Sequence, residues 1–392
     1  MDPFDISMQA EISAAGARRL RQGHLWVYAS DVTRGPEDPE APIVKVVDAA
    51  RNALGCAFHS SQSLIRLRLL TREADVRGEE LLRGRLRASV ARRAGLLDPR
   101  GACRLVYGEA DLLPSIIVDR YGEYLALQTL SRGADAVKPA LAGMLQEEMR
   151  PAGIVERNDV KARRLEGLDE RVAVLSGTVP PRVEIEEAGL RFQVDLMGGQ
   201  KTGFFLDQRE NRVAARRYAA GEALDCFTNT GAFALHFARS CSRVTAVDTS
   251  AESLAQARAN AGLNGIGNLE LVEANVFDWL REAEQAGRKF DLVCLDPPAF
   301  AKNRNSLAAA KGGYKELNLR AMKLLRPEGV LVTSTCSYHM SEPDFLELLQ
   351  QAAHDARRHA QVVERRGQAS DHPVLVGMPE THYLKCFILR LL

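Results

Sequence analysis

Beyond about residue 220 the chain alternates short apolar runs with amphipathic ones, and few folds accept that pattern. The stretch Ala223-Leu-Asp-Cys-Phe-Thr-Asn-Thr-Gly-Ala-Phe233 anchors it. An apolar run ends in an acid, Asp225. A turn of small and polar residues follows, and an apolar helix then opens at Ala232. Strand, loop and helix in this order lay a nucleotide-like ligand across a helix N-terminus. The periodicity predicts strands over 223–227, 244–248, 269–273, 290–296 and 330–335. Helices are expected over 209–220, 232–240, 251–262, 276–286, about 307–325, and 342–355. Such alternation builds a parallel sheet wound on both faces. A last strand over 383–390 is expected to join it antiparallel.

The upstream half reads differently. Short alternating runs over 43–48, 54–58 and 64–70, parted by Gly, Pro, Asn and Ser, predict a small β-rich module with a helix at 14–21. An arginine-rich amphipathic helix is expected over 76–97. Strands over 104–107, 115–118 and 124–128, a helix over 136–149 and a strand over 154–156 then suggest an α+β module. A basic loop or helix follows at 158–165, and a hairpin over 183–185 and 190–196. The expected division is 1–73, 74–182 and 183–392.

Composition narrows the function. At 46% hydrophobic and 26% charged, the 392 residues describe an ordinary globular chain. No apolar run approaches the ~18 residues of a membrane span, and the acidic N-terminus is unlike a signal peptide. Seven scattered cysteines without a C-x-x-C pair argue against a disulfide framework or a zinc site, and for a reducing cytoplasm. Net charge is +1, yet arginines cluster at Arg18–Arg21, Arg83–Arg93, Lys161–Arg164 and Arg209–Arg217. Local basic patches on a neutral whole suit phosphate contacts or solvated helix faces.

The anchoring loop has one glycine, Gly231, where a dinucleotide fold has three. Acids end successive strands: Asp225, Asp248 and Asp296, with Asn275 after the third. An acid at Asp248 suits ribose hydroxyls, and Asn275 suits an adenine amine. No phosphate-binding lysine motif is present. This set fits a nucleoside without pyrophosphate, and S-adenosylmethionine meets that description.

Three groups of motifs then carry a resemblance. Arg19-Leu-Arg-Gln-Gly-His-Leu-Trp-Val-Tyr28 is similar to a PUA domain. Gly108-Glu-Ala-Asp-Leu-Leu-Pro-Ser-Ile-Ile-Val-Asp-Arg-Tyr121 is similar to an RNA-channel domain. Lys201-Thr-Gly-Phe-Phe-Leu-Asp-Gln-Arg209, Asp225-Cys-Phe-Thr-Asn-Thr-Gly231, Asp296-Pro-Pro-Ala-Phe300 and Ser334-Thr-Cys-Ser-Tyr-His339 resemble catalytic-domain motifs. Almost end to end, the chain resembles the RlmI-like class I methyltransferases that make 5-methylcytosine in large-subunit ribosomal RNA. The resemblance implies an α/β, Rossmann-like C-terminal domain that binds S-adenosylmethionine, preceded by a β-rich PUA domain and an α+β middle domain. It also implies 23S or precursor ribosomal RNA as partner, no membrane, no metal, and a homodimer. The cofactor residues it implies are Phe205, Gln208, Arg209, Asp225, Phe227, Thr230, Gly231, Asp248, Asn275 and Asp296. Asn275 departs from the aspartate usual there.

C5 of a pyrimidine is a poor nucleophile, and addition of a thiolate at C6 activates it. Cys336 ends the fifth strand at the same sheet edge as Asp296, and Thr335 and Ser337 are placed to hydrogen-bond a thiolate. Asp296 suits the N4 amine of cytosine and would repel O4 of uracil. In related uracil-C5 enzymes a glutamate closes a C-terminal Phe-Pro-x-Thr-x-His-Val-Glu segment. Here the comparable Met378-Pro-Glu-Thr-His-Tyr-Leu-Lys385 ends in Lys385. Glu380, His382, His339, Asp296 or water remain for the proton-removing base. Residues 303–314 are expected as a mobile loop over the site. Methylation of another RNA base atom (uracil C5 or an exocyclic nitrogen) and a non-catalytic assembly factor are the competing readings.

Overall fold

The computed structural model describes residues 2–199, 201–300 and 307–392. Residues 303–306 of the expected site loop therefore lie outside the described residues. Its remainder is helical, which corrects the loop expectation over 307–314.

The described chain forms two compact units. The first comprises Met1–Ile185, Val194–Leu206 and Asp371–Thr381; the second comprises Glu186–Gln193, Asp207–Ser370 and His382–Leu392. The first unit holds a six-stranded and a five-stranded sheet. In the six-stranded sheet, Gln9–Ile12 runs parallel to Ile43–Asp48, which pairs antiparallel with Ala53–His59. Ser13 caps the helix Ala14–Arg21, its hydroxyl accepting from the Gly16 amide at 3.1 Å.

In the five-stranded sheet the four expected strands, the last of them Gly153–Arg157, are joined by Val172–Gly177 at the edge. That edge strand was not foreseen. It is half-exposed along its length and lacks the apolar alternation that marks a buried strand. The helix expected over 136–149 is two helices, Arg132–Ala136 and Lys138–Met149, with Val137 between them. Pro139 stands in the first turn of the second helix, where its missing N–H does no harm. The arginine-rich helix is Gly78–Arg92, shorter than expected. Ile43, Phe58 and Leu70 of the first sheet share one core with Leu105, Val118 and Leu127 of the second. Gly133 seals this packing: a Cβ there would lie 2.6 Å from the Pro42 carbonyl.

The hairpin Val183–Glu187 and Leu190–Val194 is a two-stranded sheet of its own. The second unit is built on a seven-stranded sheet. Its strands are β1 (Glu222–Cys226), β2 (Arg243–Asp248), β3 (Leu269–Glu273), β4 (Phe290–Leu295), β5 (Leu325–Thr335), β6 (Ala360–Arg366) and β7 (Lys385–Leu391). Their order is β3-β2-β1-β4-β5-β7-β6. The pairs among β1 to β5 are parallel, and β7 is antiparallel to both β5 and β6. β6 was not foreseen: most of its residues are exposed, as befits an edge strand.

The helices are α1 (Arg209–Arg216), α2 (Ala232–Ala238), α3 (Ala251–Leu263), α4 (Val276–Gln285), α5 (Leu307–Leu324) and α6 (Glu342–Asp355). Side-chain alternation explains the two-sided burial. Leu224, Cys226, Val293, Leu295 and Leu331 face a core with α4, α5 and α6. Ala223, Leu292, Cys294, Val330 and Val332 face another with α1 and α2. The strand order reverses between β1 and β4, and such a switch point opens a crevice at the carboxyl ends of the strands. Asp225, Asp248, Asp296 and Cys336 stand at or beside those ends. Among the described residues no helix is long and apolar enough to cross a membrane, and no His/Cys/Asp/Glu group has metal-holding geometry.

Candidate active site

The loop from β1 to α2 is shaped by backbone that most residues avoid. Phe227 has φ 62°, Asn229 φ 49° and Gly231 φ 82°. At Gly231 a Cβ would meet Leu235 Cδ1 at 2.8 Å and Ala257 Cβ at 3.0 Å, so glycine is required on two counts. Beneath the loop sits Asp225, 1% exposed. Its Oδ2 accepts from the Thr228 hydroxyl at 2.6 Å and from the Ala234 amide at 3.0 Å. The other oxygen is buried without a hydrogen-bond partner, and the Cys294 thiol lies near the carboxyl. Burial, with the nearby Asp296 charge adding to it, pushes this carboxyl up to about 7 against the pull of Thr228 and Ala234. Asp225 therefore supports the loop from below.

Asp248 closes β2 and is only partly buried. Its Oδ2 accepts from the Asn229 amide at 2.9 Å and its Oδ1 from the Ser250 amide at 3.0 Å. Each oxygen keeps a lone pair for a further donor. Asn275 is exposed and caps α4, its Oδ1 accepting from the Phe277 amide at 2.9 Å. The oxygen expected to meet an adenine amine thus already serves the helix. The Thr230 carbonyl accepts from Asn260 at 3.0 Å, tying the loop to α3.

Asp296 follows β4 and is partly buried. Gln208 Nε2 donates to its Oδ1 at 2.7 Å, and Gln208 Oε1 in turn accepts from Asn211 at 2.6 Å. Gln208 thereby holds the carboxylate in one orientation. The segment expected to flank the cofactor divides at Leu206. Asp207, Gln208 and Arg209 belong with the sheet of β1 to β7, where the Asp207 carboxylate accepts from Tyr383 at 2.6 Å and Arg209 starts α1. Phe205 belongs to the first unit, its ring under the Lys201 ammonium at 4.2 Å. There Thr202 donates to Asp119 at 2.5 Å.

Of the seven cysteines, six are buried and Cys336 is partly exposed; none is in a disulfide. It follows β5, which neighbours β4. The hydroxyls of its neighbours Thr335 and Ser337 have a shared partner on α5. Both reach Tyr314 of α5: Thr335 Oγ1 donates to the Tyr314 hydroxyl at 2.8 Å, and Ser337 Oγ lies 3.1 Å from it. The Tyr314 ring packs on Phe300 of the Asp-Pro-Pro-Ala-Phe segment, centroids 4.7 Å apart. One buried phenol thus joins the ends of β4 and β5.

Of the candidate bases, Glu380 lies in the first unit, 3.3 Å from His24. His339 and His382 are partly exposed in the second unit. Lys385, noted in the sequence only as a departure, is buried and opposes Thr335 across the β5–β7 ladder. Behind α2 lies a cluster the sequence did not reveal. Glu187 accepts from Arg212 at 2.6 Å through both oxygens, and His236 Nε2 lies 3.0 Å from its Oε1. Burial alone would raise Glu187, but Arg212 and His236 bring it down to about 2.

The donor set fits S-adenosylmethionine. Carboxylates end β2 and β4, the turn carries no cation to meet a phosphate, and the backbone of the turn is fixed from below.

Comparison with known proteins agrees. A family model described as S-adenosylmethionine-dependent methyltransferase matches residues 152–389, and a PUA-like domain model matches residues 11–72. The ribosomal RNA large subunit methyltransferase I of Photobacterium profundum is 41% identical over 380 residues, covering 94% of this chain and 96% of that one. The protein of the same name from Tolumonas auensis is 41% identical over 386 residues, 95% and 96% covered. Among solved structures, a Streptococcus mutans protein described as a SAM-dependent methyltransferase superposes with TM-score 0.83 at 22% identity, over 98% of this chain and 100% of that one. Another methyltransferase structure, 21% identical with the same TM-score over the same shares, holds S-adenosylhomocysteine. A PUA-like N-terminus, a Rossmann-like methyltransferase sheet and these relatives agree: the chain belongs to the ribosomal RNA large subunit methyltransferase I family of S-adenosylmethionine-dependent methyltransferases.

Proposed function

We propose that the protein methylates C5 of a cytosine in large-subunit (23S) ribosomal RNA, through a covalent bond between Cys336 and C6 of the base. The observation that carries this reading is that the partly exposed cysteine follows β5, beside β4, which Asp296 follows. Asp248 and the loop Phe227–Gly231 would hold the nucleoside part of the cofactor, with Gln208 and Asp296 across the β1–β4 crevice. When bound, S-adenosylmethionine supplies a methyl group on sulfonium sulfur.

The chain's own residues do the rest. The Cys336 thiolate adds to C6, and the electron pair of the C5–C6 double bond becomes available at C5 for the new carbon–carbon bond. Asp296, fixed by Gln208, accepts from the N4 amine and disfavours uracil, whose O4 would face a carboxylate. A base then takes the C5 proton, the C5–C6 double bond re-forms, and the sulfur–C6 bond breaks to return the thiolate. Exocyclic-nitrogen methylation needs no thiol, so the position of Cys336 favours the C5 reading.

The relatives' names point to ribosomal RNA, and the PUA-like match points to RNA contact. We assign residues 1–73 and 74–182 to gripping RNA and 183–392 to chemistry, in the cytoplasm. A target base inside folded RNA must leave its stack to reach the crevice. Mass spectrometry of ribosomal RNA nucleosides from cells with and without the gene tests the reading. Loss of one 5-methylcytidine is expected; loss of a 5-methyluridine or an N-methylated base instead would overturn it.

A further inference from the structure

Lys385 has no part in the reaction described above, yet the fold places it under Cys336. It stands on β7 opposite Thr335, the residue before Cys336. It is 5% exposed. Its Nζ donates to the Tyr383 carbonyl at 3.2 Å and reaches the Ser337 carbonyl, on the far side of Cys336, at 3.5 Å. Both acceptors are neutral backbone oxygens. Among the described residues no carboxylate lies within ion-pair distance of Nζ, and a buried ammonium in that position is costly unless a negative charge answers it.

We propose that Lys385 is a positioning residue for the reaction, its ammonium holding the Cys336 side chain as a thiolate beneath the bound base. The thiol proton leaves to solvent water and Lys385 keeps its own. This rests on Cys336 being the nucleophile.

The charges around the pair bear this out. Burial lowers the Lys385 ammonium from its usual range, while Cys336 and then Glu342 at the start of α6 act to keep it protonated. Tyr314 on α5 also couples to the thiol, and Tyr338 and His339 lie on its own segment. Burial raises Tyr314 above the usual phenol range, so it stays neutral. Asp296 and Glu342, when ionised, oppose a thiolate. Lys385 is a cation that favours one, and at the corresponding position a glutamate would not.

The test is the pH dependence of Cys336 alkylation by iodoacetamide, followed by peptide mass spectrometry on the full chain without RNA. The buried cysteines report folding, because they react only if the protein opens. The wild-type midpoint is expected at least one pH unit below the ~8.5 of an ordinary thiol. Lys385→Met should raise it by a unit or more, slowing alkylation at pH 7 about tenfold, and Lys385→Arg should keep it low. A wild-type midpoint at or above ~8.5 overturns the proposal even if Lys385→Met does not fold. So does an unchanged midpoint in a folded Lys385→Met. Neither outcome depends on RNA turnover, so failure here is separate from failure of the Cys336 mechanism.

Discussion

Replacing Asp225 with asparagine should stabilise the protein increasingly as pH rises. Both hydrogen bonds to this side chain, from Thr228 and Ala234, arrive at Oδ2, so an asparagine with its oxygen there keeps them. The amide nitrogen takes the place of Oδ1, which has no hydrogen-bond partner. The folded carboxyl titrates near 7, against 3.8 in an unfolded chain. Below 3.8 both states are protonated and nothing is lost. Between 3.8 and 7 the folded state binds more protons than the unfolded one, so wild-type stability falls as pH rises. Above 7 the full penalty applies, a ceiling of roughly 4 kcal/mol at ~1.4 kcal/mol per pH unit, with about 1.5 kcal/mol already present at pH 5. Asparagine removes this penalty. Its buried amide donor costs about 1–3 kcal/mol at any pH. The difference in stability between Asp225→Asn and wild type should therefore move about 2.5 kcal/mol in favour of the variant from pH 5 to pH 8. Urea titrations at the two pH values measure it. A pH-independent difference, or one of opposite sign, would refute the assignment of a buried, raised carboxyl under the loop.

Other substitutions probe the same unit. Gly231→Ala should cost about 2–4 kcal/mol by urea unfolding, from left-handed backbone plus the close approach to Leu235 and Ala257, and S-adenosylhomocysteine affinity by calorimetry should fall at least tenfold. Arg212→Met strands the buried Glu187 carboxylate and should destabilise by about 3–5 kcal/mol at pH 7. Because the folded Glu187 titrates near 2 and the unfolded one near 4.5, its contribution is present above 4.5 and lost as pH falls towards 2; the variant's deficit should shrink over that window.

The alternating strands and helices of the second unit were legible because a strand buried on both faces and an amphipathic helix differ in period and length. The Asp225–Gly231 turn was legible because small and polar residues after a strand-ending acid leave few other structures. Two of the edge strands were not. Ala360–Arg366 and Val172–Gly177 are exposed or half-exposed, so burial imposes no alternation on them. Contacts between distant segments were also hidden. Nothing in the spacing of Tyr314, Thr335 and Ser337 says that their hydroxyls meet, or that Glu187, Arg212 and His236 share a buried site. Chain neighbourhood pointed Thr335 and Ser337 to Cys336, and it gave no sign of the Tyr314 hydroxyl that both meet. Lys385 showed only as an unexpected residue type; its place under Cys336 comes from the antiparallel return of β7, which joins residues far apart in sequence.

The most direct measurement of the central claim is methyl transfer from labelled S-adenosylmethionine to large-subunit ribosomal RNA by wild type and Cys336→Ala, with nucleosides identified by mass spectrometry. 5-Methylcytidine is expected from the wild type and at least a thousandfold loss in the variant, which should still bind S-adenosylhomocysteine. Cytosine-C5 methylation retained by Cys336→Ala would contradict the covalent mechanism.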